Sequence, residues 1–219
     1  MAAPSPYLFP AARLRPPQPD CAPTGLAAFD SLTGGLPRGA LTEIFGPPGS
    51  GRTSLLWITL ATAAARQEVC ALVDATDAFD PNAAAQAGVP LESVLWVRCG
   101  GDAERALKAA DRVVNAGGFG LIVLDLADLP VRLLRRIPLV CWFRLRRAVE
   151  GTPAILLVVT PQPVTGTCAS LLVEMKGAQA LWSGASHARL LRGGFFDLAP
   201  RKPVHRQAAR FCAQAQWAR

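Results

Sequence analysis

Residues 46–53 read Gly46-Pro-Pro-Gly-Ser-Gly-Arg-Thr53, a glycine-rich turn between an apolar run, Leu41 to Phe45, and a Leu/Ala-rich stretch from Thr53 to Arg66. The spacing is that of the phosphate-binding turn G-x-x-x-x-G-[K]-[ST], with Arg52 in the lysine position. Gly46, Gly49 and Gly51 let the backbone curl so that several N–H groups, that of Ser50 included, converge on one phosphate. The helix N-terminus adds positive potential. Thr53 is placed to put its hydroxyl on magnesium. Arg52 keeps the lysine's charge, but a planar guanidinium is larger and aims its donors differently from a compact ammonium. ATP with magnesium is therefore the candidate cofactor, and none is expected to be required.

The rest of the chain frames this turn with alternating strands and helices. Leu41–Phe45, Val69–Asp74, Val94–Val97, Leu121–Asp125 and Ile155–Val159 are predicted strands. Several are unbroken apolar runs of the kind buried on both faces. Thr53–Arg66, Pro81–Ala87, Asp102–Ala116 and Cys141–Glu150 are predicted helices, the third ended by Gly117-Gly118. This order implies an α/β fold, a mostly parallel twisted sheet with helices on both faces. Asp125 ends a strand, where a carboxylate can meet a phosphate-bound magnesium. Three segments are expected: a Pro-rich arm at 1–23 with seven prolines, a core at 24–184, and a basic, mobile tail at 185–219.

Composition narrows the class. Of 219 residues 51% are hydrophobic, enough for a sizeable core. The uncharged stretch Thr53–Ala65 is 13 residues long, short of the roughly 18 needed to span a bilayer, so no membrane partner is expected. Met1 to Pro6 carries neither the basic nor the apolar region of a secretory signal. Six cysteines, with no CxxC pair, read as reduced small hydrophobes of a cytoplasmic protein. His187 and His205 have no ligand partners at metal spacing, so no metal site is expected. Trp57, Trp96, Trp142 and Trp182 sit in apolar context and read as core.

The formal charge is +7, and residues 189–219 hold seven Lys/Arg against one acid, Asp197. A second basic run comprises Arg132, Arg135, Arg136, Arg144, Arg146 and Arg147. Such clusters favour acidic partners. The candidate nucleic-acid or partner-binding residues are Arg132, Arg135 and Arg136, with Arg201, Lys202, Arg206, Arg210, Phe211 and Trp217 in the tail. There, Gly193-Gly-Phe-Phe196 offers paired aromatics. Ala209, Phe211, Cys212, Ala215 and Trp217 form an incomplete stripe from which a docking helix is predicted.

Taken in order, Thr24-Gly-Leu-Ala-Ala-Phe-Asp30, Thr33-Gly-Gly-Leu-Pro-Arg-Gly39, Thr42-Glu-Ile-Phe-Gly46, the glycine turn, Val73-Asp-Ala-Thr-Asp-Ala-Phe-Asp-Pro81 and Gly88-Val89 closely resemble the ATPase core of the RecA recombinase superfamily over roughly residues 24–182. Size and departures resemble ImuA, the RecA-like accessory family of the SOS mutagenesis cassette. That resemblance implies binding to RecA and ImuB, contact with an error-prone polymerase subunit and with single-stranded DNA, and a cytoplasmic bacterial location, at the nucleoid after damage. It also implies a role in translesion synthesis.

The departures matter. Thr76 stands where the superfamily has the glutamate that orients the attacking water, and a hydroxyl is no proton acceptor at neutral pH. Thr160-Pro-Gln-Pro163 replaces the Asn-Gln pair that senses the γ-phosphate, leaving Gln162 as the candidate sensor. The expectation is a pseudo-ATPase without catalytic residues. Both DNA-binding loops, at Leu126–Val140 and after Val159, are shortened. Phe9-Pro-Ala-Ala12 fits the F-x-x-A docking pattern through Phe9 and Ala12. Two other readings stay open on the sequence: an active DNA-stimulated ATPase or recombinase, and a SulA-like inhibitor of cell division.

Overall fold

The computed structural model describes residues 20–185, 187–203 and 208–214. Most of the Pro-rich arm, with Phe9 and Ala12, lies outside the described residues, as do Arg206 and Trp217. Strand β1 (Cys21–Ala22) pairs antiparallel with β2 (Leu36–Pro37), around helix α1 (Ala27–Thr33). There follow β3 (Ala40–Phe45), α2 (Arg52–Ala65), β4 (Cys70–Asp74), α3 (Pro81–Gln86), β5 (Val94–Arg98), α4 (Ala103–Ala116) and β6 (Leu121–Asp125). The chain continues through α5 (Val131–Leu134), α6 (Leu139–Val149), β7 (Ile155–Thr160), β8 (Leu171–Ser183), β9 (Leu190–Lys202) and β10 (Ala209–Gln214).

Eight strands form one sheet in the order β10-β9-β8-β3-β7-β6-β4-β5. It is parallel from β8 through β5, and β9 and β10 are added antiparallel at one side. Both faces are covered, which is why the central strands read as continuous apolar runs. Leu72, Val123 and Leu157 face the cluster under α2, while Ala71, Val73, Ile122 and Leu156 face the cluster under α4 and α6.

Local chemistry sets the helix starts. Asp102 caps α4 by accepting from the N–H groups of Glu104 at 2.9 Å and Arg105 at 3.0 Å. Asp80 does the same for α3, which has Pro81 in its first turn. Because β3, β7, β6 and β4 run parallel, their C-terminal ends lie on the same side of the sheet as the glycine turn that follows β3.

The basic segment departs from the sequence expectation. Residues 190–202 and 209–214 are strands of the main sheet, not a mobile tail, and no helix spans the described part of 206–217. The reason is a period of two: Phe211 points inward, 7% exposed, while Arg210 and Cys212 face out. Leu198 is buried likewise. Phe211 is therefore a core residue and not an exposed anchor. The outward charges are matched across strands. Arg210 donates to Asp197 at 2.6 and 3.0 Å, Arg201 pairs with Glu174, and Lys202 donates to the Thr167 carbonyl at 2.9 Å. Trp142 is fully buried as expected, but Trp182 is 55% exposed on β8.

Candidate functional site: the glycine turn and the strand ends around it

The turn follows β3 and leads into α2 with Gly51 as N-cap. Gly49 and Gly51 have φ of 75° and 88°, a conformation that glycine adopts without penalty. A Cβ at Gly46 would collide with the Met175 carbonyl oxygen and come within 2.8 Å of Ser50 Oγ. The loop is thus wedged between β8 and its own serine. Ser50 is fully buried, and among the described residues its hydroxyl has no hydrogen-bond partner. Thr53 is exposed at the start of the helix.

Arg52 is the main departure from a phosphate site. Its side chain is buried, 7% exposed. Nη1 donates to the Thr160 carbonyl at 2.9 Å and to the Ala127 carbonyl at 3.3 Å. Burial lowers the guanidinium pKa, and the charges of Asp128 and Asp125 oppose that shift. The Thr160 carbonyl also accepts the Gly46 N–H at 3.2 Å. One carbonyl therefore anchors both the start of the glycine turn and the arginine that follows it.

The ring of Phe196, on β9, lies against the turn: its Cδ1 is 2.5 Å from where a Cβ on Gly51 would sit. Phe196 in turn stacks on Phe211 of β10, with centroids 5.1 Å apart and planes at 24°. The two C-terminal strands so back the turn with an aromatic pair.

Asp125 and Asp74 end the strands beside the turn, and Asp77 lies further along the loop after β4. Asp125, at the end of β6, accepts the Ala127 N–H at 3.0 Å, and burial pushes its pKa up to about 6, against that bond and with help from Asp74 and Asp128. Asp74, at the end of β4, accepts from the N–H groups of Thr76, Ala78 and Phe79 and from Trp96 Nε1. It holds the turn that carries Thr76. Asp77, next to Thr76, has φ of 60° and is tied to the Cys99 and Gly100 N–H groups and to Arg98, at 3.0 to 3.2 Å. Those bonds lower its pKa, the Gly100 N–H most. Its carboxylate is engaged by the end of β5 and the turn after it.

The turn backbone fits a phosphate, because a curled glycine loop opens a 14-residue helix and the Ser50 hydroxyl is unpaired. Of the Arg52 guanidinium, Nη1 is bonded to two protein carbonyls. Gln162 is exposed, and its Oε1 accepts from Arg135 Nη2 at 3.2 Å. This bond links the connection between β6 and α6 to the segment after β7. Arg132, Arg135 and Arg136 are all exposed on and after α5. Of the residues singled out in the sequence, the structure places Asp125 close enough to Arg52 of the turn for their charges to act on each other. Sequence reasoning missed Thr160, whose backbone is the shared acceptor, and Phe196, whose ring reaches the turn from β9.

Glu43 is fully buried in β3. It accepts from Thr160 Oγ1 at 2.9 Å, Val164 N at 2.8 Å, and Thr165 N and Oγ1 at 3.1 and 2.5 Å. Asp30 similarly accepts from Thr24 N and Oγ1. Among the described residues no cluster of His, Cys, Asp or Glu could hold a metal, and no helix is long and apolar enough to cross a membrane.

Known proteins bear on this geometry. The chain is 43% identical over 105 residues to protein RecA of Cutibacterium acnes, 47% of this chain and 30% of that protein. It is 41% identical to protein RecA of Mesorhizobium japonicum over 105 residues, 47% of this chain and 28% of that protein. The match thus spans less than a third of the length of these relatives. The crystal structure of the RadB recombinase superposes with a TM-score of 0.64 at 18% identity, over 86% of this chain and 94% of that one, a likeness of fold. Residues 17–131, running from before β1 into α5, match the RecA N-terminal domain, and the chain accordingly belongs to the RecA family.

Proposed function

We propose that this chain is an ImuA-type accessory protein of damage-induced translesion synthesis, acting by binding RecA and ImuB and not by turning over ATP. The observation that carries this reading is the commitment of Arg52 to the Thr160 and Ala127 carbonyls. Phosphoryl transfer depends on charge held against the moving phosphate, and a displacement of about 1 Å costs roughly a hundredfold. Thr76 in place of a carboxylate, and Asp77 turned onto β5, support the same reading. A subunit that keeps the family core but lacks long DNA loops would dock on a RecA filament end without extending it. The test is binding of the full chain to purified RecA and ImuB, with filament length on single-stranded DNA as readout. Failure to bind either protein and to alter filament length contradicts the proposal.

A second reading, nucleotide bound without turnover, is supported by the unpaired Ser50 hydroxyl inside the turn. Titration with a fluorescent ADP analogue, wild type against Ser50→Ala, tests it. Affinity that is absent, or indifferent to the substitution, speaks against it.

A further inference from the structure

Helix α6 packs Trp142, Leu145 and Val149 into the core and turns a second apolar set outward. Leu139 is 47% exposed, Val140 69% and Phe143 41%. Positions 140, 143 and 147 share one helical face, with Leu139 one turn before Phe143. Arg147 continues that face, and Arg144 lies one turn after Val140. From residue 129 to 149 the chain has no acid and six arginines. Arg144 is paired with Asp111 at 3.0 Å, and Arg147 is exposed. Three large apolar side chains in one exposed cluster are more than scattered surface hydrophobics and mark an interaction site.

We propose that this face docks an acidic amphipathic peptide segment of another protein, its apolar residues on Leu139, Val140 and Phe143 and its carboxylates on Arg147, with Arg144, whose Nε is held by Asp111, beside it. Charge selects the occupant. Residues 1–19 carry two arginines and no acid, and residues 204–219 carry three arginines and no acid, so neither end of this chain complements the face. A second copy meeting through the same face would bring arginine against arginine. Nucleic acid would satisfy the arginines, and Phe143 could stack on a base, but Leu139 and Val140 would have no function there. Apolar anchors beside exposed arginine match an amphipathic helix with acidic flanks laid on this face, the charge speeding encounter and excluding basic competitors. This inference is independent of whether the glycine turn binds nucleotide.

A displayed library of random 16-residue peptides, selected against the full chain, tests it, with a fluorescent thymidine 20-mer as competitor. The expected pool carries acidic residues around apolar residues at helical spacing. Selected peptides should bind at least tenfold more weakly to Val140→Ser/Phe143→Ser and also to Arg147→Glu, and the oligonucleotide should not displace them. Both variants alter exposed positions, and circular dichroism checks that each is folded. The single charge reversal stands alone if the double variant is not. No enrichment, a pool without acidic bias, or affinity unchanged in the folded variants overturns the proposal. So does displacement by the thymidine oligomer with loss of its binding in Phe143→Ser, which would make the face a single-strand site.

Discussion

Arg52 Nη1 donates to the Thr160 carbonyl at 2.9 Å, joining the first residue of α2 to the last residue of β7. In this position the cation holds the glycine turn to the sheet. Its removal should therefore cost stability in the absence of any nucleotide. Arg52→Ala leaves two carbonyls short of a charged donor and opens a cavity, so a loss of about 2–3 kcal/mol is expected in urea denaturation. A phosphate ligand with no structural role would leave that midpoint unchanged.

Asp125 gives a pH signature. Its folded pKa, about 6, lies above that of an unfolded aspartate. Between those values the folded state holds the extra proton, so this residue's contribution to stability falls as pH rises from about 4 to about 6. Asp125→Asn removes the ionisation and keeps an acceptor for Ala127. It should stabilise the protein by about 1–3 kcal/mol at pH 7.5 and have no effect below pH 4, read from thermal melts across pH. A constant difference at all pH values would contradict this origin.

Glu43 collects four hydrogen bonds from residues 160–165. It is buried with those donors as its described partners. Glu43→Ala would strand several buried donors at once, and a loss of about 3–5 kcal/mol is expected. Hydrogen exchange should show residues 160–165 losing protection first.

Much of the parallel core was legible because its strands are apolar runs between strong punctuation: Gly46 to Gly51, Pro81, Gly117-Gly118. The glycine turn and Asp125 were legible for the same reason, since a motif is a local object. Thr160 was not, because its contribution is a backbone carbonyl, which any residue type supplies. The C-terminal strands were misread for a sharper reason. Ala209, Phe211, Ala213, Ala215 and Trp217 alternate strictly with Arg210, Cys212, Gln214 and Gln216, a period of two. Read as a helical stripe, that pattern hid β10. Net charge reinforced the error, since the partners of Arg201 and Arg210 lie on neighbouring strands and not beside them in sequence.

The corrected role of those strands is itself testable. Phe211→Ala removes a buried ring stacked on Phe196. A loss of about 3–4 kcal/mol is expected, with lower solubility as β9 loses its neighbour. A freely mobile tail would leave the thermal midpoint unmoved.

The central claim is that the family site has been converted from turnover to structure. Steady-state phosphate release from ATP by the full chain, with and without single-stranded DNA, tests it most directly. The predicted result is no release above that of Asp125→Ala, and no gain on Arg52→Lys, because Thr76 still lacks a carboxylate. Release stimulated by DNA and abolished by Asp125→Ala would contradict the account.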